Sequence, residues 1–162
     1  KRLKGYASIG YKIISRHSHT LFDNVKDIGI PVCKEQIFNG RTFSRPYSSS
    51  IGDAKRSIVV SSPKLYRIEH NVLVNQLNEL AHIGIEVLII TTASNPETVH
   101  LLQRGLSVRI LPEVKLCTTI IDKDIVWYGA INALGYATEE DNVIKVVDNK
   151  LANELLEVLL TS

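Results

Sequence analysis

Between residues 57 and 111 the chain alternates short runs of branched aliphatic residues with longer stretches patterned at helical spacing, and this alternation constrains its fold more than any other feature. "SIVVSS" (57–62) is a continuous apolar run ended by Pro63, the pattern of a strand buried on both faces. In "EHNVLVNQLNELAHIG", Val72, Leu73, Leu77, Leu80 and Ala81 recur at helical spacing and Gly84 supplies the stop. "IEVLIITT" is a second buried strand. Asn95 and Pro96 predict the cap and first position of the next helix, "PETVHLLQRG", which Gly105 ends. "LSVRIL" is a third strand. Strand–helix–strand–helix–strand calls for parallel crossover units.

The later part adds strands of another kind. "LCTTIID" and "DIVWYG" predict a hairpin turning at Asp122-Lys123-Asp124, and "NVIKVV" a further strand. "NKLANELLEVLL" predicts a terminal helix with Leu151, Leu155, Leu156 and Leu159 on one face. The expected architecture is therefore α/β, with a mixed, mainly parallel sheet flanked by helices on both faces. A chain of 162 residues with 44% hydrophobic and 22% charged residues can bury such a core, and an aromatic share of 6% leaves aliphatic residues to fill it.

Residues 1–44 read differently, as an N-terminal extension or hairpin segment ahead of a main domain at 45–162. "YKIISR" predicts a short strand, and "IFNGRTF" a hairpin turning at Asn39-Gly40. "SRPYSSSIGDAK" reads as the connection into the main fold. His17 and His19 would share a strand face, but no further ligands lie nearby in sequence, which favours a solvated pair over a metal site. Cys33 and Cys117 form no Cys-x-x-Cys pair or Cys-His cluster, which argues against a zinc site or disulfide framework and for a reducing, cytoplasmic setting.

The apolar runs are strand-sized, so no membrane association is expected. The chain has no methionine and starts at Lys1, which reads as a piece of a longer protein whose other domains are expected partners. A net charge of +2 requires that any nucleic-acid surface be local. Neither Gly-x-Gly-x-x-Gly nor a Gly-Lys-Ser/Thr phosphate loop is present, and no cofactor is expected.

"KLCTTIIDKDIVWYGAIN" (115–132) resembles the signature of the phospholipase D-like superfamily. That signature is His-x-Lys, four residues, Asp, six residues, then Gly-Ser-x-Asn. Asp122 takes the Asp position, and Gly129, Ala130 and Asn132 fall on the Gly-Ser-x-Asn positions. Lys115 stands at the His position and Cys117 at the Lys position. The resemblance covers roughly residues 45–162 in element order. "IVWYG" followed by Asn and "LGY" is also similar to phospholipase D-like domains appended to bacterial helicase-type proteins.

The resemblance implies a chemistry. In the family a His nitrogen attacks phosphorus to form a covalent phospho-enzyme, the Lys neutralises the phosphoryl oxygens, and two motifs meet at one site. Positions 115 and 117, two apart on a strand, would face one pocket. Here a lysine ammonium has no lone pair with which to attack, Cys117 brings no positive charge, and Ala130 removes the hydroxyl. "CTTIIDK" lacks the amide cradle and Arg of a cysteine phosphatase, so Cys117 is not read as a nucleophile. Asp122, Gly129 and Asn132 have structural readings: turn, tight bend and backbone hydrogen bonding.

The expected function is that of a non-catalytic phospholipase D-like domain of a DNA- or RNA-processing protein, binding nucleic-acid phosphate or mediating assembly. Candidate phosphate ligands are Lys115 and Asn132, with Lys64, Arg67, Arg104, Arg109 and Lys123 around them. The apolar "IVWYGAINALGY" offers a homodimer interface. The alternative is one half of an active phosphodiesterase or nuclease completed by another motif or subunit. "TEEDN" (138–142) reads as a solvated loop rather than a metal-binding cluster.

Overall fold

The computed structural model describes residues 36–92 and 96–161. In chain order these form β1 (Gln36–Asn39), α1 (Ser44–Gly52), β2 (Ser57–Ser61), a 3-10 turn (Ile68–His70), α2 (Val72–His82), β3 (Glu86–Thr92), α3 (Thr98–Gln103), β4 (Ser107–Leu111), β5 (Cys117–Ile121), β6 (Ile125–Gly129), β7 (Asn142–Val147) and α4 (Asn149–Thr161). "YKIISR", His17, His19, Cys33 and Asn95 lie outside the described residues.

The strands form one seven-stranded sheet in the order β1-β7-β6-β5-β2-β3-β4. The expected α/β sandwich with helices on both faces is present. Its sheet is mostly antiparallel rather than mainly parallel: β2–β3 and β3–β4 are parallel, and the other four pairings are antiparallel. Crossover helices serve only the two connections β2–β3 and β3–β4. After β4 the chain returns through residues 112–116 to the other side of β2, and every later neighbour is made antiparallel.

Alternation along the strands divides two cores. Ile58, Val60, Val87, Ile89, Ile121 and Trp127 point to one face, where Tyr47 and Ile51 of α1, Leu77 of α2 and Leu101 of α3 cover them. Ile90, Ile120 and Val126 point to the other, against Ala152, Leu156 and Leu159 of α4. Asn71 caps α2 by accepting from Leu73 N at 2.9 Å. Gly84 (φ 98°) and Gly105 (φ 77°) end α2 and α3 as left-handed residues.

Two local expectations are corrected. Asn39-Gly40 does not turn a hairpin: Asn39 Oδ1 accepts from the Arg41 and Thr42 amides and directs the chain into α1, while β1 pairs with β7 from Gln36↔Lys145 to Asn39↔Asn142. The Ser- and Pro-bearing connection is itself largely helical. Pro46 sits in the first turn of α1, where a missing N–H is tolerated, and Tyr47 and Ile51, four residues apart, drop together into the core. No helix among the described residues is long and apolar enough to cross a membrane.

Candidate functional site

β2, β3 and β4 end on one edge of the sheet, called here the upper edge. β5 runs the other way, beginning there with Cys117 and ending at the lower edge with Ile121. Cys117 and Asp122 are thus separated by the length of a strand, roughly 16 Å.

Asp122 and Lys123 form the lower turn with φ of 54° and 57°, the left-handed pair that a tight hairpin turn requires. The Asp122 carboxylate accepts from the backbone N–H groups of Lys55 (2.9 Å), Arg56 (2.7 Å) and Ser57 (3.0 Å). Partial burial works to raise its pKa. The Ser57, Lys55 and Arg56 amides, with the Arg56 charge, outweigh it and hold the carboxyl below its ordinary range. Asp122 therefore ties the hairpin to the entry of β2, and Lys123 stands beside it, far from the upper edge.

At the upper edge Cys117 borders a cavity of only about 10 Å³, walled by Phe43, Tyr47, Trp127, Ile131, Ala133 and Val143. That is the room one water needs, not a phosphodiester. Tyr47 is buried with its hydroxyl 2.7 Å from Thr119 Oγ1, and Trp127 packs edge-on against Phe43 and Tyr47 at centroid distances of 5.9 and 5.3 Å. Burial, and then the charge of Asp141, push the Cys117 thiol above its ordinary pKa, opposite to what a nucleophilic thiolate requires.

The other motif positions separate. β5 begins at Cys117, so Lys115 precedes the strand; its side chain is 74% exposed and pairs with Glu113 at 3.2 Å. It lines a groove with Leu111, Pro112, Leu116, Val158 and Leu159, in which Asn132 has no part. Asn132 instead accepts from Ser62 Oγ (2.5 Å) and donates through Nδ2 to the Lys64 carbonyl (2.7 Å), stapling the loop after β6 to the loop after β2. Gly129 leaves no space for a side chain: a Cβ there would overlap the Asn142 carbonyl oxygen and lie 2.7 Å from Val143 Cα. Ala130 is exposed, and its N–H bonds to the Asn142 carbonyl at 2.8 Å.

The basic residues divide similarly. Lys64 and Arg67 are exposed at the upper edge. Arg109 donates to the Leu160 carbonyl at 2.7 Å and so closes the end of α4. Arg104 bonds to Asn75 Oδ1 and to the Glu69 carbonyl, fixing the 3-10 turn against α2. The acidic loop is engaged in structure, with Glu139 paired to Arg41 and Asp141 accepting from Thr138 N at 2.6 Å.

Sequence reasoning misses two residues that the fold brings together at this edge. Tyr66 and Tyr136 stand in edge-to-face contact with centroids 6.2 Å apart, and Arg67 lies over the Tyr66 ring at 5.2 Å. They come from loops far apart in the chain, and the one local signal is the Tyr of "LGY".

The scan against protein-family models finds no match, and the search of curated proteins finds none. Solved structures do match. A phospholipase D family member, Nuc from Salmonella typhimurium, superimposes with a TM-score of 0.66 at 18% identity, over 78% of this chain and 91% of that one. NucT from Helicobacter pylori gives 0.66 at 18% identity, over 79% of this chain and 94% of that one. TrmBL2, an archaeal chromatin protein described as showing a novel mode of DNA binding, gives 0.61 at 13% identity, over 87% of this chain and 56% of that one. The chain shares the phospholipase D-like fold of Nuc and NucT.

Proposed function

We propose that this chain is a non-catalytic module of phospholipase D-like fold that holds nucleic-acid phosphate within a larger DNA- or RNA-processing protein of helicase type. The observation that carries this reading is the filled space around Cys117. The cavity that the half-buried Cys117 borders, between Tyr47 and Trp127, is about 10 Å³, too small for a phosphodiester. Lys115, at the nucleophile's position in the motif, lies off the strand in an ion pair with Glu113. Asp122, Gly129 and Asn132 are each occupied by a structural contact.

What remains at the upper edge is charge suited to phosphate. Lys64, Arg67 and Lys115 project there from the loops that follow β2 and precede β5. The fold's likeness to Nuc and NucT, and the DNA binding described for TrmBL2, support nucleic acid as the ligand class. The resemblance of "IVWYG" and "LGY" supports the helicase-type setting. Contacts of this kind position a backbone without reading its sequence.

The test has two arms. DNA, RNA and a chromogenic diester, each with and without divalent metal, should give no turnover; activity that survives repurification and disappears with Cys117→Ala refutes the non-catalytic reading. In fluorescence anisotropy across a salt series, Lys64→Glu and Lys115→Glu should each weaken nucleic-acid binding. Each should also flatten the log–log salt slope by about 0.7–0.9. Unchanged binding in both variants refutes the phosphate grip.

A further inference from the structure

We propose that Tyr66 and Tyr136, flanked by Lys64 and Arg67, form a stacking platform for the bases of single-stranded nucleic acid. The inference rests on the nucleic-acid reading above and extends it from phosphate to base.

Large aromatic rings on a surface are normally tucked against something apolar. Tyr136 is 73% exposed and Tyr66 47% exposed. Their rings stand at 81° to one another, so the pair presents ring faces in two directions. The guanidinium over Tyr66 adds a third planar group on which a base can stack.

The platform is held from below. Leu65, Ile68, Ile131 and Leu134 are buried in the core, so the residues between and beside them are forced outward. Tyr66 N bonds to the Leu134 carbonyl at 2.9 Å, and Asn132 bridges to the Lys64 carbonyl. Ser62 N bonds to the Ile90 carbonyl at 2.9 Å, and Thr92 Oγ1 to the Pro63 carbonyl at 3.2 Å, so the Lys64 loop is also anchored to β3. A ligand meeting two loops already held in register loses less ordering entropy on binding. Asn132, at the last position of the altered motif, thereby acquires a use: it holds the two loops in register. Gly135 permits it, since a Cβ there would overlap the Asn132 amide and lie 2.7 Å from the Lys64 carbonyl oxygen.

Charge selects the strand type. Lys64 and Arg67 belong to none of the salt bridges found among the described residues, so both are available to a backbone. Glu139, Glu140 and Asp141 follow Tyr136 closely in sequence and add negative charge to that loop, although Glu139 is paired with Arg41. One backbone fits along the Lys64–Arg67 side with its bases over the tyrosines. A duplex carries two backbones and hides its base faces, so it cannot use the rings.

The experiment measures anisotropy of three labelled probes on the whole chain: a dT 12-mer, an abasic 12-mer with the same backbone, and a 12-bp duplex. The dT strand should bind tightest, with a salt slope of roughly −2.1 for the phosphate contacts of Lys64, Arg67 and Lys115. Tyr136→Ala and Tyr66→Ala should each weaken dT binding roughly 5- to 150-fold and leave abasic binding unchanged. Tyr136→Phe should retain dT binding, because the face and not the hydroxyl is used. Gly135→Ala should weaken dT binding without altering any group that touches it. Equal binding of dT and abasic strands, with both Tyr→Ala variants unaffected, overturns the platform while the phosphate reading stands. Failure of all three probes to bind at low salt overturns both.

Discussion

Replacing Asp122 by Asn keeps a side chain that tolerates the left-handed turn and removes only the charge. In the native protein that charge accepts three backbone N–H bonds, from Lys55, Arg56 and Ser57. A hydrogen bond to a charged acceptor contributes about 1.5–3 kcal/mol where it is shielded from solvent. This turn is open to water, which would solvate the released amides, and Asn still offers one acceptor oxygen. The net loss for Asp122→Asn should therefore be about 1–2 kcal/mol, a fall in Tm of roughly 4–8 °C for a domain of this size. Asp122→Ala loses the acceptor altogether and adds left-handed strain of about 1–2 kcal/mol. The assay is urea unfolding followed by Trp127, the chain's one tryptophan and buried in the core. Its pH dependence is diagnostic. Because the folded carboxyl titrates below its ordinary value, its contribution is present above about pH 4 and is lost as pH falls through the lower folded value. The gap between wild type and Asp122→Asn should shrink in acid. Equal stability at pH 7, or a gap that widens on acidification, would refute the assignment of Asp122 to structure.

Two other outcomes are expected. Gly129→Ala forces a Cβ into the backbone of β7 and should lower the urea midpoint sharply or prevent folding; a midpoint within error of wild type would show that β6 and β7 are not so closely apposed. In a Cys33→Ser background, Cys117 should react with a disulfide reagent well below the rate of a free thiol at pH 8, because burial and Asp141 disfavour its thiolate. A rate matching that of a small-molecule thiol would mean that the pocket is open.

The three parallel strands and the late hairpin are legible in the sequence because each is an uninterrupted aliphatic run between clear stops, as in "SIVVSS" and "IEVLIITT". α1 is not. Its serines, Pro46 and Gly52 read as loop, and the helix persists because Tyr47 and Ile51 reach the core. β1 reads wrongly as half of a hairpin because its partner lies at the other end of the chain. The motif spacing points to Asp122, Gly129 and Asn132. Spacing gives no volumes, so it does not show that Tyr47 and Trp127 close the space at Cys117. Nor does any local pattern join Tyr66 to Tyr136, whose meeting depends on the topology of two loops.

The pairing of β1 with β7 bears on how the chain is made. About 100 residues separate the two strands, and at ribosomal rates of roughly 5–20 residues per second β7 emerges some 5–20 s after β1. Until then β1 lacks the strand beside which it lies in the finished sheet, although the crossover units from β2 to β4 can already assemble from neighbouring segments. Closure of the sheet at this side is thus a late and long-range event, slow by the logic of loop entropy. β1 waits through the whole of that interval, whereas β6, completed about 13 residues before β7 begins, is an open edge for only roughly 0.6–3 s. Both edges are satisfied in one step when residues 142–147 leave the tunnel and settle between them.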